Sequence, residues 1–362
     1  MTGISSSHST ESGYGAPALQ PTPPTRTTEP LLAVLSRSHL RPSNVADETV
    51  SRVIRLSPLR AEQGPNIAVL KVARSVEGAA GLRAQTRVLA ELTLHPGLDA
   101  GWRELLPQIL AFDERTDATV SVESYLRGRG LAEILARYPE RAEELTVAAL
   151  SAIAPLHRRT ATFVVVDDLC LLGQWVVEPL AALTKLCRRL DPHLIRGVDR
   201  LETTLRRALI RRRVPVSWTH GNYTPRNVRV DGVQGPVTGI VDWSGAGHSR
   251  LALLDEYLMI LTVSCQVEQA DLGTLVAERL RAGGLSDRER NALRAARDRP
   301  NMDSGERECI DEYVAIVLTW LHRAVDLCRT SLADRNHASW ATIVAPVLSY
   351  AAASEFPSTY DG

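Results

Sequence analysis

The chain has 362 residues, of which 44% are hydrophobic and 23% charged. That is ordinary for a globular protein and long enough for two unequal lobes. Lys+Arg and Asp+Glu both number 42, so no net field draws the chain toward nucleic acid or an anionic membrane. No apolar run approaches the ~18–20 residues of a membrane span, and neither nucleic acid nor membrane is expected as a partner.

Residues 1–29 are rich in Ser, Thr, Pro and Gly, with no charged-then-apolar signal pattern, and read as a disordered leader of a cytoplasmic protein. Five cysteines (Cys170, Cys187, Cys265, Cys309, Cys328) show no paired spacing and read as reduced thiols. The basic residues are almost all arginine, because only Lys71 and Lys185 are lysines. In an Arg-, Ala- and Leu-rich chain a retained lysine marks a site that wants a compact point charge.

In chain order, Pro30–Leu35 reads as a short helix. Val50–Leu56 and Asn66–Val72 read as strands, joined by a turn over Leu59–Pro65. Gly81–Leu94 has the apolar spacing of a helix, and Pro107–Phe112 and Thr119–Tyr125 read as further strands. The expectation is a β-rich lobe over residues 30–128 and a mostly helical lobe over 129–355. In the second lobe, Glu140–His157 places Leu145, Ala149, Ile153 and Leu156 on one helix face. Trp175–Arg213 reads as one or two helices broken at Asp191-Pro192. Val214–Gly247 is non-helical. Leu251–Cys265, Gly305–Cys328 and His337–Ala353 read as helices, and Arg281–Ser304 as a polar connection.

The informative stretch runs Trp218-Thr219-His220-Gly221-Asn222-Tyr223-Thr224-Pro225-Arg226-Asn227-Val228-Arg229-Val230, followed by Gly239-Ile240-Val241-Asp242-Trp243. A loop, a strand, a turn at Asp231-Gly232 and a second strand bring the Asn227 amide and the Asp242 carboxylate to one end of a hairpin. Oxygen ligands of that kind suit Mg²⁺, which takes one or two protein ligands plus phosphate oxygens and water.

His-Gly-x-x-x-x-x-Asn followed by Ile-Val-Asp-Trp resembles the catalytic loop and metal-binding acid of aminoglycoside phosphotransferases and their choline-kinase-like relatives. The resemblance implies an α+β, two-lobed protein-kinase-like fold that binds ATP and Mg²⁺ between the lobes. It makes Lys71 the lysine that pairs with nucleotide phosphates, and Asn227 and Asp242 the metal ligands. Val120–Leu126, with Glu123, Ser124 and Tyr125, resembles the hinge whose backbone receives adenine. Asp255 resembles an acid that orders this region.

Two departures stand out. The family carries an aspartate where this chain has Asn222, and an amide cannot act as a base near neutral pH. Gln85 stands where the family shows the glutamate that pairs with the lysine, which keeps a hydrogen bond and loses an ion pair. The glycine-containing nucleotide loop is reduced to Ser43 and Asn44 within Arg41-Pro42-Ser43-Asn44. The implied activity is phosphorylation of a hydroxyl on a small molecule, a natural-product precursor or a peptide. The alternatives are a nucleotide-binding pseudokinase that partners a biosynthetic enzyme, and an Asn222 introduced to trap an inactive complex. His220 reads as a loop-fixing histidine and His157 as core.

Overall fold

Over Ala68–Ala73 the buried Ala68, Leu70 and Val72 alternate with half-buried residues, the pattern of a strand with one face against a core. The computed structural model describes residues 40–47, 51–58, 67–115, 118–167, 170–233, 235–297, 310–330 and 340–353. The leader, the Pro30–Leu35 helix, the Leu59–Pro65 turn and Cys309 lie outside the described residues. Strands β1 (Leu40–Asp47), β2 (Ser51–Pro58), β3 (Ala68–Ala73), β4 (Ile109–Glu114) and β5 (Thr119–Ser124) form an antiparallel sheet in the order β1-β2-β3-β5-β4. The Arg41–Asn44 stretch, expected as a nucleotide loop, is part of β1, and its pairing with β2 shifts register between Pro42 and Asn44.

Helix α1 (Val76–Leu94) starts earlier than the apolar spacing indicates, because Ser75 caps it: its Oγ accepts the Gly78 N–H at 3.1 Å. Its buried stripe is Gly78, Leu82, Gln85, Val88, Leu89 and Leu92. Gln85 thus occupies a core position of an otherwise apolar face.

The second lobe is built on helices α2 (Leu131–Arg137), α3 (Ala142–Arg159), α4 (Glu178–Leu190) and α5 (Ile195–Leu209). The break between α4 and α5 falls at Asp191-Pro192 as read from the sequence, with Asp191 Oδ1 accepting the His193 N–H at 3.1 Å. Two small antiparallel sheets follow. One orders β10-β9-β6 and the other β11-β8-β7, from β6 (Arg129–Gly130), β7 (Thr162–Val165), β8 (Arg213–Thr219), β9 (Val228–Val230), β10 (Val237–Ile240) and β11 (Gly247–Arg250).

Helices α6 (Leu253–Glu268), α7 (Leu272–Arg281), α8 (Asp287–Arg297), α9 (Glu312–Thr330) and α10 (Ala345–Ala353) complete the described chain. Helix α8 corrects the expectation of a polar connection over Arg281–Ser304. It buries Ala292, Leu293 and Ala296, and it keeps the acidic Glu289 inside by pairing it with Arg279 at 2.9 Å. A single core runs through the helical lobe, and Trp175, Trp243, Trp320 and Tyr223 are its largest fully buried side chains.

The lobes meet where helix α1 packs on the turn Trp243–Gly245: a Cβ on Gly81 would lie 3.7 Å from Ser244 Cβ. On the other side the Ile240 N–H donates to the Leu105 carbonyl at 2.8 Å, and Thr238 Oγ1 donates to the Arg127 carbonyl at 2.6 Å. The β9–β10 hairpin is therefore tied to both arms of the first lobe.

Candidate active site

In the β3–β5 ladder Lys71 pairs with Ser121 and Val69 with Glu123. Partners across an antiparallel ladder share a face, so Lys71, Ser121 and Glu123 face the same way, with Lys71 and Glu123 diagonal to one another. Lys71 Nζ lies 3.1 Å from Glu123 Oε2 and donates to Gln85 Oε1 at 3.3 Å. Gln85 Nε2 donates to Glu123 Oε1, and Ser121 Oγ reaches the same oxygen at 3.4 Å. The hydrogen bond expected between Lys71 and Gln85 is present. The ion pair, expected to be lost, is supplied by Glu123.

Ser124 and Tyr125 follow at the end of β5, and their backbone N–H groups donate to the Gln108 and Ile67 carbonyls at 2.8 and 3.1 Å. Ser124 Oγ accepts the Gln108 N–H at 2.8 Å. These two backbone donors are thus used within the fold.

The loop after β8 is fixed from below by Asp255 in the first turn of α6, where the helix dipole favours an acid. Asp255 Oδ2 accepts the His220 N–H at 2.6 Å and faces His157 Nε2 at 3.0 Å, while Oδ1 accepts the Gly221 N–H at 2.9 Å. Burial works to raise this carboxyl, but the bond from His157 and the charges and amide around it outweigh burial and hold it below its ordinary value. His157 is therefore more than core filling, since it holds the acid that holds the loop.

Gly221 is required for its backbone: φ is +77°, and a Cβ there would meet the Gly245 carbonyl oxygen at 2.1 Å. The His220 ring lies 4.6 Å from Trp243, centroid to centroid. Its Nδ1 accepts the Asn222 N–H at 3.3 Å and its Nε2 faces the Val241 carbonyl at 2.9 Å. One nitrogen accepting and the other donating describes a neutral imidazole. Burial accordingly pushes its pKa below the usual histidine value.

Asn227 ends a short turn, Pro225–Asn227, and is buried. Its Nδ2 donates to the Asn222 carbonyl at 2.9 Å, and its own carbonyl accepts the Val241 N–H at 2.9 Å. That second bond brings Asn227 beside the end of the strand that carries Asp242. Asp242 has a left-handed backbone (φ 64°, ψ 65°), a conformation that a non-glycine residue holds only when its surroundings enforce it. The enforcement comes from Trp243, fully buried against Trp102 and His220, with its Nε1 donating to the Ile240 carbonyl at 2.8 Å. Ser244 Oγ donates to Asp242 Oδ1 at 2.9 Å.

Sequence reading did not find Arg323. It projects from α9, is partly buried and donates to Asn222 Oδ1 at 3.1 Å. Burial lowers its pKa from the usual arginine value; Asp326 opposes this, Arg226 adds to it and Asp242 opposes it. The signal available was an arginine in a helix stretch, Val314 to Val325, that is apolar apart from Thr319 and His322. A cavity of about 250 Å³ opens beside the loop, with Trp175, Glu178, Arg250, His322, Arg323 and Asp326 among its lining.

The sequence profile of the phosphotransferase enzyme family (APH) matches residues 59–253, more than half of the chain. The chain belongs to the phosphotransferase enzyme family. No curated protein matches it in sequence.

Three solved structures of aminoglycoside phosphotransferases resemble this family member. The GDP complex of wild-type aminoglycoside 2'-phosphotransferase-IIIa is 13% identical, with a TM-score of 0.54 over 90% of this chain and 99% of that one. A thermostable mutant of APH(4)-Ia in ternary complex with ADP and hygromycin B is 14% identical, with a TM-score of 0.54 over 89% and 98%. ADP-bound APH(2'')-Ib is 11% identical, with a TM-score of 0.52 over 89% and 97%. At these identities the likeness shows the fold: two-lobed and kinase-like, as the motif pair implied. Among the described residues no helix is long and apolar enough to cross a membrane.

Proposed function

We propose that the chain transfers the terminal phosphoryl group of ATP, with Mg²⁺, to a hydroxyl of a small molecule or natural-product precursor, or of a peptide. In this reading residues 30–128 form the nucleotide lobe and 129–355 the acceptor lobe of a cytoplasmic enzyme. The observation that carries it is the pairing of Asn227 and Asp242 at one end of the β9–β10 hairpin, joined by the Val241-to-Asn227 backbone bond.

The donor set fits magnesium. Asn227 spends its N–H on Asn222, which turns its Oδ1 the other way, and Asp242 adds a carboxylate. Among the described residues no three His, Cys, Asp or Glu gather as a metal cluster, so few protein ligands are offered. Magnesium accepts few, because phosphate oxygens and water complete its shell. When bound it neutralises charge on the transferring phosphoryl group.

The chain's own residues do the rest. Lys71 supplies a point charge for the α/β-phosphates. Asp255, Gly221 and His220 hold the loop rigid, which is what positioning catalysis requires. Ser124, Tyr125 and the segment after them flank the adenine. The acceptor occupies the cavity beside Asn222, whose lining of both acids and bases suits a polar molecule. The test is Mg²⁺-dependent ADP release with a panel of hydroxylated small molecules. The reading requires a signal with at least one of them and its loss in Asp242→Ala and Asn227→Ala; release unchanged in either variant removes it.

A second reading is favoured by one contact. With Oδ1 of Asn222 taken by Arg323, no proton acceptor stands at that position, as in a nucleotide-binding pseudokinase that partners a biosynthetic enzyme. Such a protein binds Mg-ATP and releases no ADP with any acceptor.

A further inference from the structure

We propose that Glu123 is the positioning residue for Lys71, and that this chain sets its phosphate-binding lysine from within the sheet and not from helix α1. The proposal rests on the nucleotide reading above.

The Glu123 carboxylate is 3% exposed, yet both oxygens have partners. Oε2 faces the Lys71 ammonium at 3.1 Å, and Oε1 accepts from Gln85 and Ser121. A buried carboxylate left without a cation is costly, so the pair holds its members together. Lys71 in turn has two of its three N–H groups directed, one at Glu123 and one at Gln85.

Gln85 comes from helix α1 and is a neutral bridge. Its Oε1 accepts a hydrogen bond from Lys71 while its Nε2 donates one to Glu123. The charge that fixes the lysine therefore comes from β5, hydrogen-bonded along its length to the strand that carries Lys71. The reach between the two side chains is set by the register of that ladder, in which Lys71 opposes Ser121 and Val69 opposes Glu123. A shift of helix α1 breaks the Gln85 bridge and leaves the ion pair whole. It follows that movement of α1 cannot switch nucleotide binding off by withdrawing the lysine's acid.

The experiment is calorimetric titration of the full chain with Mg-ADP and, separately, with adenosine, which lacks the phosphates that Lys71 would meet. Glu123→Gln is expected to weaken Mg-ADP binding on the order of tenfold, the loss of one charge-assisted contact, with adenosine within about twofold. Gln85→Ala is expected to cost about threefold for Mg-ADP. The exchanged pair Gln85→Glu with Glu123→Gln returns the acid from the helix side and restores Mg-ADP binding to within about threefold of the parent.

Equal loss of Mg-ADP and adenosine in Glu123→Gln means that Glu123 only supports the fold, and overturns the proposal. So does unchanged Mg-ADP binding. If Glu123→Gln does not fold, Glu123→Asp decides. It keeps the charge and shortens the reach, and it must weaken Mg-ADP selectively for the proposal to stand. A parent chain that binds neither ligand overturns the nucleotide reading itself, and the proposal with it.

Discussion

The Arg323 guanidinium donates to the Asn222 carboxamide oxygen at 3.1 Å, tying helix α9 to the loop after β8. The two residues are 101 positions apart in sequence. The contact fixes which way round the amide lies, because an oxygen engaged by an arginine leaves the NH₂ group on the opposite side of the carboxamide. Position 222 and its partner thus present hydrogen-bond donors where a base would present an acceptor.

Restoring the acid should therefore do less than replacing a missing base does elsewhere. A general base is worth roughly 10²–10⁴ in rate, but a carboxylate beside the partly buried Arg323 is held ionised and made less basic. Asn222→Asp alone is expected to raise ADP release by well under about a hundredfold. Asn222→Asp with Arg323→Gln should raise it further, as measured by acceptor-dependent ADP release. A double variant no faster than the single one shows that Arg323 does not restrain position 222.

Asp255 holds the loop through two hydrogen bonds, from the His220 and Gly221 amides, and is itself held by a third partner, His157 of α3. Asp255→Asn keeps the shape but removes the charge and presents an NH₂ to one of these donors. It is expected to cost roughly 3 kcal/mol in urea unfolding. The same variant should lose ADP release with Asn227 and Asp242 both intact.

His220 gives the fold a pH signature. Its pKa is lowered by burial, so it stays neutral in the folded chain while the unfolded chain takes up a proton near the ordinary value of about 6.5. The unfolded state then binds more protons, and stability falls as pH drops below about 6.5, by up to about 1.4 kcal/mol per pH unit from this group. It is fully present above that value. His220→Asn should flatten the slope between about pH 6.5 and 5 in denaturant titrations; an unchanged slope assigns it to other groups.

The loop could be read from sequence because its chemistry is local. His220, Gly221, Asn227 and Asp242 lie within a single loop and hairpin, and each type answers a nearby geometric demand. The fold was legible for a similar reason, since α1, α3 and the α4–α5 break carry strong periodicity or a proline. Helix α8 was not, because Glu289 sits on its buried face and reads as solvent-facing until Arg279 is placed beside it. Glu123 was read as part of the hinge. Its pairing with Lys71 depends on strand register, which no stretch of either strand encodes alone. The partner of Arg323 depends on α9 packing against the loop, a contact 101 positions away that the arginine's apolar surroundings do not name.

Thermal unfolding with and without Mg-ATP probes the proposed Mg-nucleotide site of Asn227, Asp242 and Lys71. A ligand that binds only the folded chain adds about 2.7 kcal/mol at a hundredfold excess over its dissociation constant. An upward shift with Mg-ATP is expected in the parent chain, and its loss when Mg²⁺ is withheld or Asp242 is changed to alanine. An unchanged melting temperature at saturating Mg-ATP, or a shift that survives Asp242→Ala, contradicts the proposed site.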